Sequence, residues 1–264
     1  MKMSTKLPEL VKLLDLPDAP KDLYFQGIWQ AEIFADCVAV VGSRKMTHYG
    51  RQVLEKLIPS LVFAKKTIVY GFMYGVDQYA HHLALENGGR TIAVLGWGIT
   101  EKLTGLDKKL ADRILEGGGL LLSEWENRKG ALWTFPKRNR IITALSKEVY
   151  IIEADIKSGS LITADLAVRL KRKLWAVPGP ITSRTSRGTN ELIKTGLAEA
   201  WLGPEILPPD SRVNDPLINL LTNEELTPSE IGRKLNLPIE EIGAKLSILS
   251  LTGNVKERGG KYSC

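Results

Sequence analysis

Short apolar runs alternate with longer amphipathic stretches through the central part of the chain. The runs are rich in β-branched residues, which is typical of strands buried on both faces. They predict strands over residues 37–43, 67–71, 91–98, 120–124, 148–154 and 173–179. The stretches between them predict helices over 49–66, 76–89, 106–119 and 160–172. This alternation indicates an α/β fold, a Rossmann-like, mostly parallel doubly wound sheet with helices on both faces.

The C-terminal pattern differs. Thr227, Pro228 and Glu230 combine a helix N-cap, a proline at the first helical position and a capping-box glutamate. A second helix is predicted over 237–253, and a hairpin with a Gly-Gly turn over 254–262. This order of elements predicts a small winged-helix-like domain. The predicted organisation is a short N-terminal extension, a Rossmann-like domain, a proline-rich linker and the winged-helix-like domain, over residues 1–36, 37–202, 203–216 and 217–264.

Composition narrows the class of protein. The 264 residues are 44% hydrophobic and 25% charged, as expected of a folded domain plus a small appendage. We find no apolar run near the roughly 20 residues of a membrane-spanning helix, and the first residues do not resemble a secretory signal. The two cysteines, Cys37 and Cys264, lie far apart. We therefore expect a cytoplasmic protein without a disulfide framework.

The positive charge is concentrated in one block. The net charge is +6, but residues 128–194 alone contain 14 lysines and arginines against 5 aspartates and glutamates. Such a block attracts polyanions whatever their sequence. A solvated basic surface is the plain alternative, and charge by itself does not decide between the two.

The turn after the first predicted strand has the features of a phosphate site. Gly42 permits close backbone approach, Ser43 offers a hydroxyl and Arg44 a charge-assisted contact. Thr47 lies just before the helix whose free amides would face the ligand. An ordinary strand–helix turn would have the same pattern, because the segment is not a G-x-G-x-x-G fingerprint.

The segment from 133 to 146 is the most informative. Lys137, Arg138 and Arg140 place three cations within four residues, with Asn139 between them. Cations contact backbone phosphates, and exposed aromatic rings stack on unpaired bases. The neighbouring rings of Trp133 and Phe135 are equally compatible with a role in the core, so their role stays open here.

Two further polar loops follow predicted strands. Ser158, Gly159 and Ser160 form a small turn at the start of a helix, where capping alone would explain a serine. Arg184 and Arg187 lie in a serine- and threonine-rich loop. The alternative is an ordinary basic surface loop that binds no ligand. Since the carboxyl ends of parallel strands share one edge of the sheet, we expect these loops to form a track for successive phosphates.

Catalytic and metal sites find no support in the sequence. Asp77 and His81 stand at i and i+4, but no third ligand has suitable spacing, and Asp77 suits a helix start. No serine lies in a G-x-S-x-G elbow. We therefore expect no enzyme activity, no metal and no cofactor.

The ordered set of these segments resembles the DNA processing protein A (DprA/Smf) family. The matching segments are VGSR, AHHLALENGGRTIAVLGWG, LLSE, FPKRNRIITALS, SGSLITA, VPGPI and GTNELI within residues 37–196, and the tail over 222–262. Each motif is weak alone, whereas their order is specific. The segment YGFMYGVD at 70–77 departs from the family, which has a serine before the glycine and small residues after it.

The resemblance implies a single-stranded DNA-binding protein. It implies a homodimer that protects incoming DNA and helps to load the RecA recombinase on it during natural transformation. The family's DNA contacts would fall on the turn at 42–44, on Phe135 with residues 137–140, and on 158–160. The tail, with 6 basic and 7 acidic residues over 215–264, suits protein contact better than DNA binding.

Two other functions stay open. The bulky 70–77 turn is compatible with a nucleotide-sensing or anti-foreign-DNA module on the same fold. A nucleotide phosphoribohydrolase is disfavoured, because its P-G-G-x-G-T-x-x-E loop is replaced here by Pro178-Gly179-Pro180 and a distant Gly188-Thr189.

Overall fold

The structure is a computed structural model that describes residues 1–4, 7–204, 216–251 and 255–263. The chain divides into two compact units, Met1–Pro204 and Glu205–Cys264. Residues 205–215, most of the predicted linker, lie outside the described residues. None of the helices described is long and apolar enough to cross a membrane.

The first unit is built on one sheet with helices on both faces. Its described strands are β1 (Lys2–Ser4), β2 (Asp22–Gln26), β3 (Cys37–Val41), β4 (Thr67–Tyr70), β5 (Thr91–Val94), β6 (Leu120–Ser123), β7 (Glu148–Ile151), β8 (Lys173–Ala176) and β9 (Glu199–Ala200). Its α-helices are α1 (His48–Phe63), α2 (Val76–Glu86), α3 (Gly105–Glu116), α4 (Thr134–Leu145), α5 (Gly159–Arg169) and α6 (Arg187–Lys194). Short 3₁₀ helices span Pro8–Asp15, Ala31–Phe34 and Arg184–Ser186.

The strand order creates a switch point at the centre of the sheet. The order is β1-β2-β6-β5-β4-β3-β7-β8-β9, and all neighbours from β6 to β9 are parallel. From β3 the chain proceeds through β4, β5 and β6 on one side and then continues at β7 on the other. Ligands of such sheets bind outside the carboxyl ends of the strands at this point. The predicted mostly parallel, doubly wound α/β fold is confirmed.

Burial on both faces explains the continuous apolar runs. Val38 and Val40 of β3 pack with α1 and α2, whereas Ala39, between them, packs with α4 and α5. All three are fully buried. Because successive strand residues point to opposite faces, a strand covered twice needs apolar residues at every position. Each fully buried valine contributes about 1.5–3 kcal/mol relative to an exposed one.

The first 36 residues, predicted as a short extension, contribute strands to the sheet. β2 pairs antiparallel with β6, with Phe25 opposite Leu122, and β1 pairs antiparallel with β2. Leu10 and Leu13 of the first 3₁₀ helix are fully buried in the core cluster that includes Ile141 of α4. This segment therefore belongs to the first unit and covers one face of α4.

The second unit has its own apolar core. Its described elements are α7 (Pro216–Asn223), α8 (Pro228–Leu235), α9 (Ile239–Leu251) and a hairpin of β10 (Lys256–Arg258) and β11 (Lys261–Ser263). The predicted capping box is present: Thr227 Oγ1 accepts from the Glu230 amide, and Glu230 accepts from the Thr227 amide. Leu217, Ile231 and Ile242 form the centre of the core. The assignment of this unit as a winged helix stays a prediction.

Several strands end earlier than the apolar pattern predicts. The run over 91–98 continues as a strand only to Val94. The chain then continues as a loop: the Gly98 amide donates to the Arg128 carbonyl at 2.7 Å, and the Ile99 amide donates to the Trp125 carbonyl at 2.9 Å. The apolar residues after Val94 therefore anchor the loop between β6 and α4 instead of extending the sheet.

Candidate nucleic-acid interface

A cavity of about 270 Å³ opens at the carboxyl ends of the strands beside the switch point. Three predicted segments meet there: the turn after β3, the start of α4 and the start of α5. The lining residues are Val41, Gly42, Ser43, Arg44, Tyr70, Met73, Asp77, Leu132, Phe135, Pro136, Arg138, Asn139, Ile142, Ser158, Gly159, Ser160 and Thr163.

The turn after β3 approaches α2 very closely. A Cβ atom on Gly42 would lie 2.8 Å from the Val76 side chain, so this position requires glycine. The Val76 amide donates to the Ser43 carbonyl at 3.2 Å, and Gly75 adopts a φ of +84° at the helix start. Ser43 Oγ accepts from the Lys45 amide at 3.0 Å. These contacts hold the turn in shape and leave Arg44 exposed at the cavity mouth.

The start of α5 forms the opposite wall. Ser158 caps the helix, with its Oγ accepting from the Ser160 amide at 3.2 Å. A Cβ on Gly159 would meet open space, so this residue lies free at the cavity surface. The helix dipole favours an anion at this end.

The start of α4 supplies an aromatic ring and a polar side chain. The Arg44 guanidinium lies 5.7 Å from the centroid of the Phe135 ring, a cation–π distance. Asn139 Nδ2 donates to Thr163 Oγ1 at 3.1 Å, which joins α4 to α5 across the cavity. Phe135 and Arg44 therefore form one aromatic and positively charged edge of the mouth.

Arg138 lies beneath this edge and is buried. It donates to the carbonyl of Val94, and its Nε donates to Asn139 Oδ1 at 3.1 Å. Burial lowers the pKa of Arg138 to about 10, an effect that nearby Asp77 opposes. The guanidinium still carries its charge at neutral pH. Arg138 therefore adds a fixed positive charge to the cavity wall.

The cavity floor holds a buried carboxyl and a buried phenol. Burial raises the pKa of Asp77 to about 7, against the opposing effect of Arg138. A Cβ on Gly71 would overlap the Asp77 carboxylate and come within 2.6 Å of both terminal nitrogens of Arg138, so these two side chains fill the space that a side chain at position 71 would need. Tyr70 Oη is buried without a hydrogen-bond partner. Burial also raises the Tyr70 pKa well above its usual value.

Thr47 and Arg140 interact with carboxylates of the protein and do not line the cavity. The Thr47 amide and hydroxyl both donate to Glu153, at 3.0 and 2.5 Å, and its Oγ1 accepts from Gly50 at the start of α1. Arg140 is buried and paired with Asp18 at 2.9 Å and Glu124 at 2.6 Å. A phosphate would have to displace these carboxylates, so we leave Thr47 and Arg140 out of the site proposed below.

The other predicted cations lie outside the cavity. Arg184 and Arg187 both pair with Asp155, at 2.5 and 2.8 Å. The hydrogen bond from Arg184, with help from Arg187, lowers the Asp155 pKa to about 2, so this carboxylate stays charged. Lys137 is half-buried and does not line the cavity. The structure thus joins Arg44 and Arg138 at the cavity and places the remaining predicted cations around it.

The floor residues Tyr70, Met73 and Asp77 were missed as site residues. Their signal in the sequence was position, since Tyr70 ends β4 and Met73 and Asp77 follow it at the same edge of the sheet. In the sequence, Asp77 suits a helix start and stands at i and i+4 with His81. His81 is buried, its Nε2 donates to the Gly71 carbonyl at 2.8 Å, and its Nδ1 lies 2.6 Å from Thr91 Oγ1. Burial lowers the His81 pKa to about 4, so the ring is a neutral support for the Gly71 turn.

The fold and the cavity define the class: a doubly wound α/β protein with a polar and cationic site at its switch point. The family model of DNA recombination-mediator protein A matches residues 1–207. This chain therefore belongs to that family. Protein Smf of Escherichia coli is 34% identical over 279 aligned residues, which cover 97% of this chain and 74% of Smf. DNA processing protein DprA of Streptococcus pneumoniae is 39% identical over 196 residues, covering 74% of this chain and 68% of the relative.

Two solved structures share the fold of the first unit. DprA of Streptococcus pneumoniae superposes with a TM-score of 0.70 at 36% identity, covering 77% of this chain and 71% of that one. DprA of Helicobacter pylori superposes with a TM-score of 0.67 at 32% identity, covering 76% of this chain and 89% of that one. The Helicobacter structure was described for its single-stranded DNA binding mode.

Proposed function

We propose that this chain binds single-stranded DNA at the cavity, protects it, and helps to load the RecA recombinase on it in natural transformation or recombination. We propose that it acts as a homodimer in the cytoplasm. The observation that carries the proposal is the convergence of three strand-end segments on one cavity with Arg44 exposed at its mouth. Family membership supports the mediator role, and the Helicobacter pylori relative supports a single strand as the ligand.

The binding step depends on charge and on access. Arg44 contacts a backbone phosphate, the buried charge of Arg138 attracts the strand, and the α5 start accepts a second anion at Ser158 and Gly159. These contacts carry no sequence information. A concave site bounded by Phe135 and Leu132 admits an unpaired nucleotide, whereas a duplex keeps its bases stacked inside. We propose binding without turnover: His81 does not line the cavity, and its two ring nitrogens are engaged by the Gly71 carbonyl and by Thr91.

The test compares single strands with duplexes at several salt concentrations. We expect a labelled dT oligomer to bind more tightly than a duplex of equal length. Affinity should fall with salt with a slope of about −0.7 for each neutralised phosphate. Arg44→Ala should weaken binding about tenfold. It should also make the salt slope shallower by about 0.7, the contribution of one phosphate contact.

Arg169→Ala is the matched control. Arg169 is an exposed arginine at the far end of α5 and pairs with Asp165 at 2.8 Å. It should leave the affinity within about twofold of wild type. Equal or tighter duplex binding, or equal losses for both variants, would reject the proposed site.

The mediator role has its own test. RecA is mixed with a single strand already covered by a single-strand-binding protein, and RecA ATPase activity reports filament growth. Wild-type chain should shorten the lag before ATPase activity, and Arg44→Ala should not. If the wild-type chain binds the strand but leaves the lag unchanged, the proposed RecA-loading role is rejected, whereas the proposed DNA binding stands. Sedimentation of the purified chain tests the homodimer.

One observation favours a small nucleotide as a second candidate ligand. The buried hydroxyl of Tyr70 has no partner at the cavity floor, and a ligand with a polar edge would satisfy it. A mononucleotide that displaces the dT oligomer at micromolar concentration would favour a nucleotide-sensing module. If millimolar AMP does not displace the dT oligomer, single-stranded DNA is the ligand.

A further inference from the structure

The loop between β6 and α4 carries an exposed tryptophan beside the cavity. Trp133 is 52% exposed and immediately precedes α4. Its neighbour Leu132, 91% exposed, lines the cavity, and so does Phe135, two residues after Trp133. The indole therefore lies next to the cavity mouth without forming part of its wall.

The loop is held in one conformation by backbone contacts. Residues 98–100 hydrogen-bond with Trp125, Glu126 and Arg128, and the Thr100 amide donates to Glu126 at 3.1 Å. A Cβ on Gly98 would collide with the Arg128 backbone, so the two segments touch directly. Trp125 contacts the Trp133 ring edge-on, with centroids 6.0 Å apart and an interplanar angle of 85°. Trp125 thus positions the Trp133 ring, which lowers the entropic cost of a further contact.

One cation lies over this ring. The Arg128 guanidinium lies 5.3 Å from the Trp133 centroid, and Lys129 follows it on the exposed loop. No carboxylate in the described part of the chain pairs with Arg128 or Lys129 within 4.0 Å. A half-exposed aromatic ring beside cations that no carboxylate pairs with is a combination that suits single-stranded nucleic acid of any sequence.

We propose that Trp133 stacks one base of the single strand outside the cavity and that Arg128 contacts the adjacent phosphate. The ligand is a nucleobase of any identity, since every base offers a π face. The inference rests on the proposed function, because it places a second contact on the same strand. It extends the site from the strand-end turns to the β6–α4 loop.

A structural role for Trp133 makes a different prediction. If the indole merely anchors the loop through Trp125, its removal would disturb the whole mouth and weaken phosphate and base contacts together. Base stacking, in contrast, would affect only ligands that have bases. An abasic oligomer of the same length and charge separates the two roles.

The experiment measures affinity for a dT oligomer and for its abasic counterpart. Trp133→Leu keeps apolar bulk against Trp125 but lacks an aromatic face, and we expect it to lose about 5- to 100-fold affinity for dT. Its affinity for the abasic oligomer should stay within about twofold of wild type. Trp133→Phe should retain most of the dT preference. Arg128→Ala should weaken both oligomers, because it removes a phosphate contact.

Phe63→Ala is the matched control. Phe63 is a 91% exposed aromatic residue at the end of α1, at the opposite edge of the sheet from the strand carboxyl ends. It should change neither affinity. Thermal melting of every variant checks that the fold is intact.

Each outcome separates the inference from the proposed function. Wild-type binding to dT with Trp133→Leu unchanged, or weakened equally for both oligomers, would overturn the stacking role alone. Failure of the wild type to bind dT at low salt would overturn the proposed function and the stacking role with it.

Discussion

Two basic regions of the first unit use their charge differently. The start of α4 places three cations within four residues, yet Arg138 and Arg140 are both buried. The turn after β3 and the β6–α4 loop have fewer cations, and Arg44, Arg128 and Lys129 are exposed there. Charge density along the chain therefore does not measure the charge that a ligand can reach.

The difference comes from the elements that carry the cations. α4 packs against the sheet on one side and the N-terminal segment on another, so its arginines find backbone and carboxylate partners within the fold. The turn and the loop project beyond the strand ends, where few protein groups are available. Buried charges must be paired, whereas exposed ones remain available for a ligand.

Arg140→Ala should cause the largest loss of stability. It leaves Glu124, nearly buried, without its cation and breaks the contact with Asp18 at the N-terminal segment. We expect the free energy of unfolding in urea to fall by about 2–4 kcal/mol, with Arg169→Ala costing about 0.5 kcal/mol or less. The salt slope of DNA binding by the folded variant should not change. A variant as stable as wild type but with a smaller slope would make Arg140 a DNA contact.

Asp77→Asn should change how stability depends on pH. The folded pKa of about 7 lies above the usual value near 3.8, so the folded state holds a proton that the unfolded state has lost between these two values. The wild type therefore loses stability as the pH rises from about 4 to 7, and the loss is complete above 7. We expect the free energy of unfolding, relative to the variant, to be lower at pH 8 than at pH 5 by on the order of 1–3 kcal/mol. An equal difference at both pH values would contradict an elevated pKa.

Neutralising the Asp155 cluster should have the smallest effect. Arg184→Ala with Arg187→Ala removes two cations that share one carboxylate, so affinity for a dT oligomer should fall less than about threefold. Asp155→Asn frees the same arginines and should raise the affinity by about twofold. A loss as large as that of Arg44→Ala would place these arginines among the main contacts.

Much of the first unit follows from local pattern. Apolar runs located β3 to β8, and the amphipathic stretches located α1, α2, α3 and α5, because each is buried in the way its period requires. The capping box at Thr227 was predicted because its residues act within one turn. The N-terminal strands were not predicted, because the pairing of β2 with β6 joins residues about a hundred positions apart.

The candidate site likewise has features that follow from local sequence and features that depend on tertiary structure. The turns that could bind a ligand were visible in the sequence, since glycine, serine and helix starts after strands have local meaning. The sequence also determined the excess of cations in residues 128–194 and the absence of a catalytic pattern. Tertiary structure decided which cations are free, because Glu124, Asp18 and Asp155 reach their arginines only after folding. It also decided that Tyr70 and Asp77 form the cavity floor and that Trp133 stays exposed, because burial depends on the neighbours that the fold supplies.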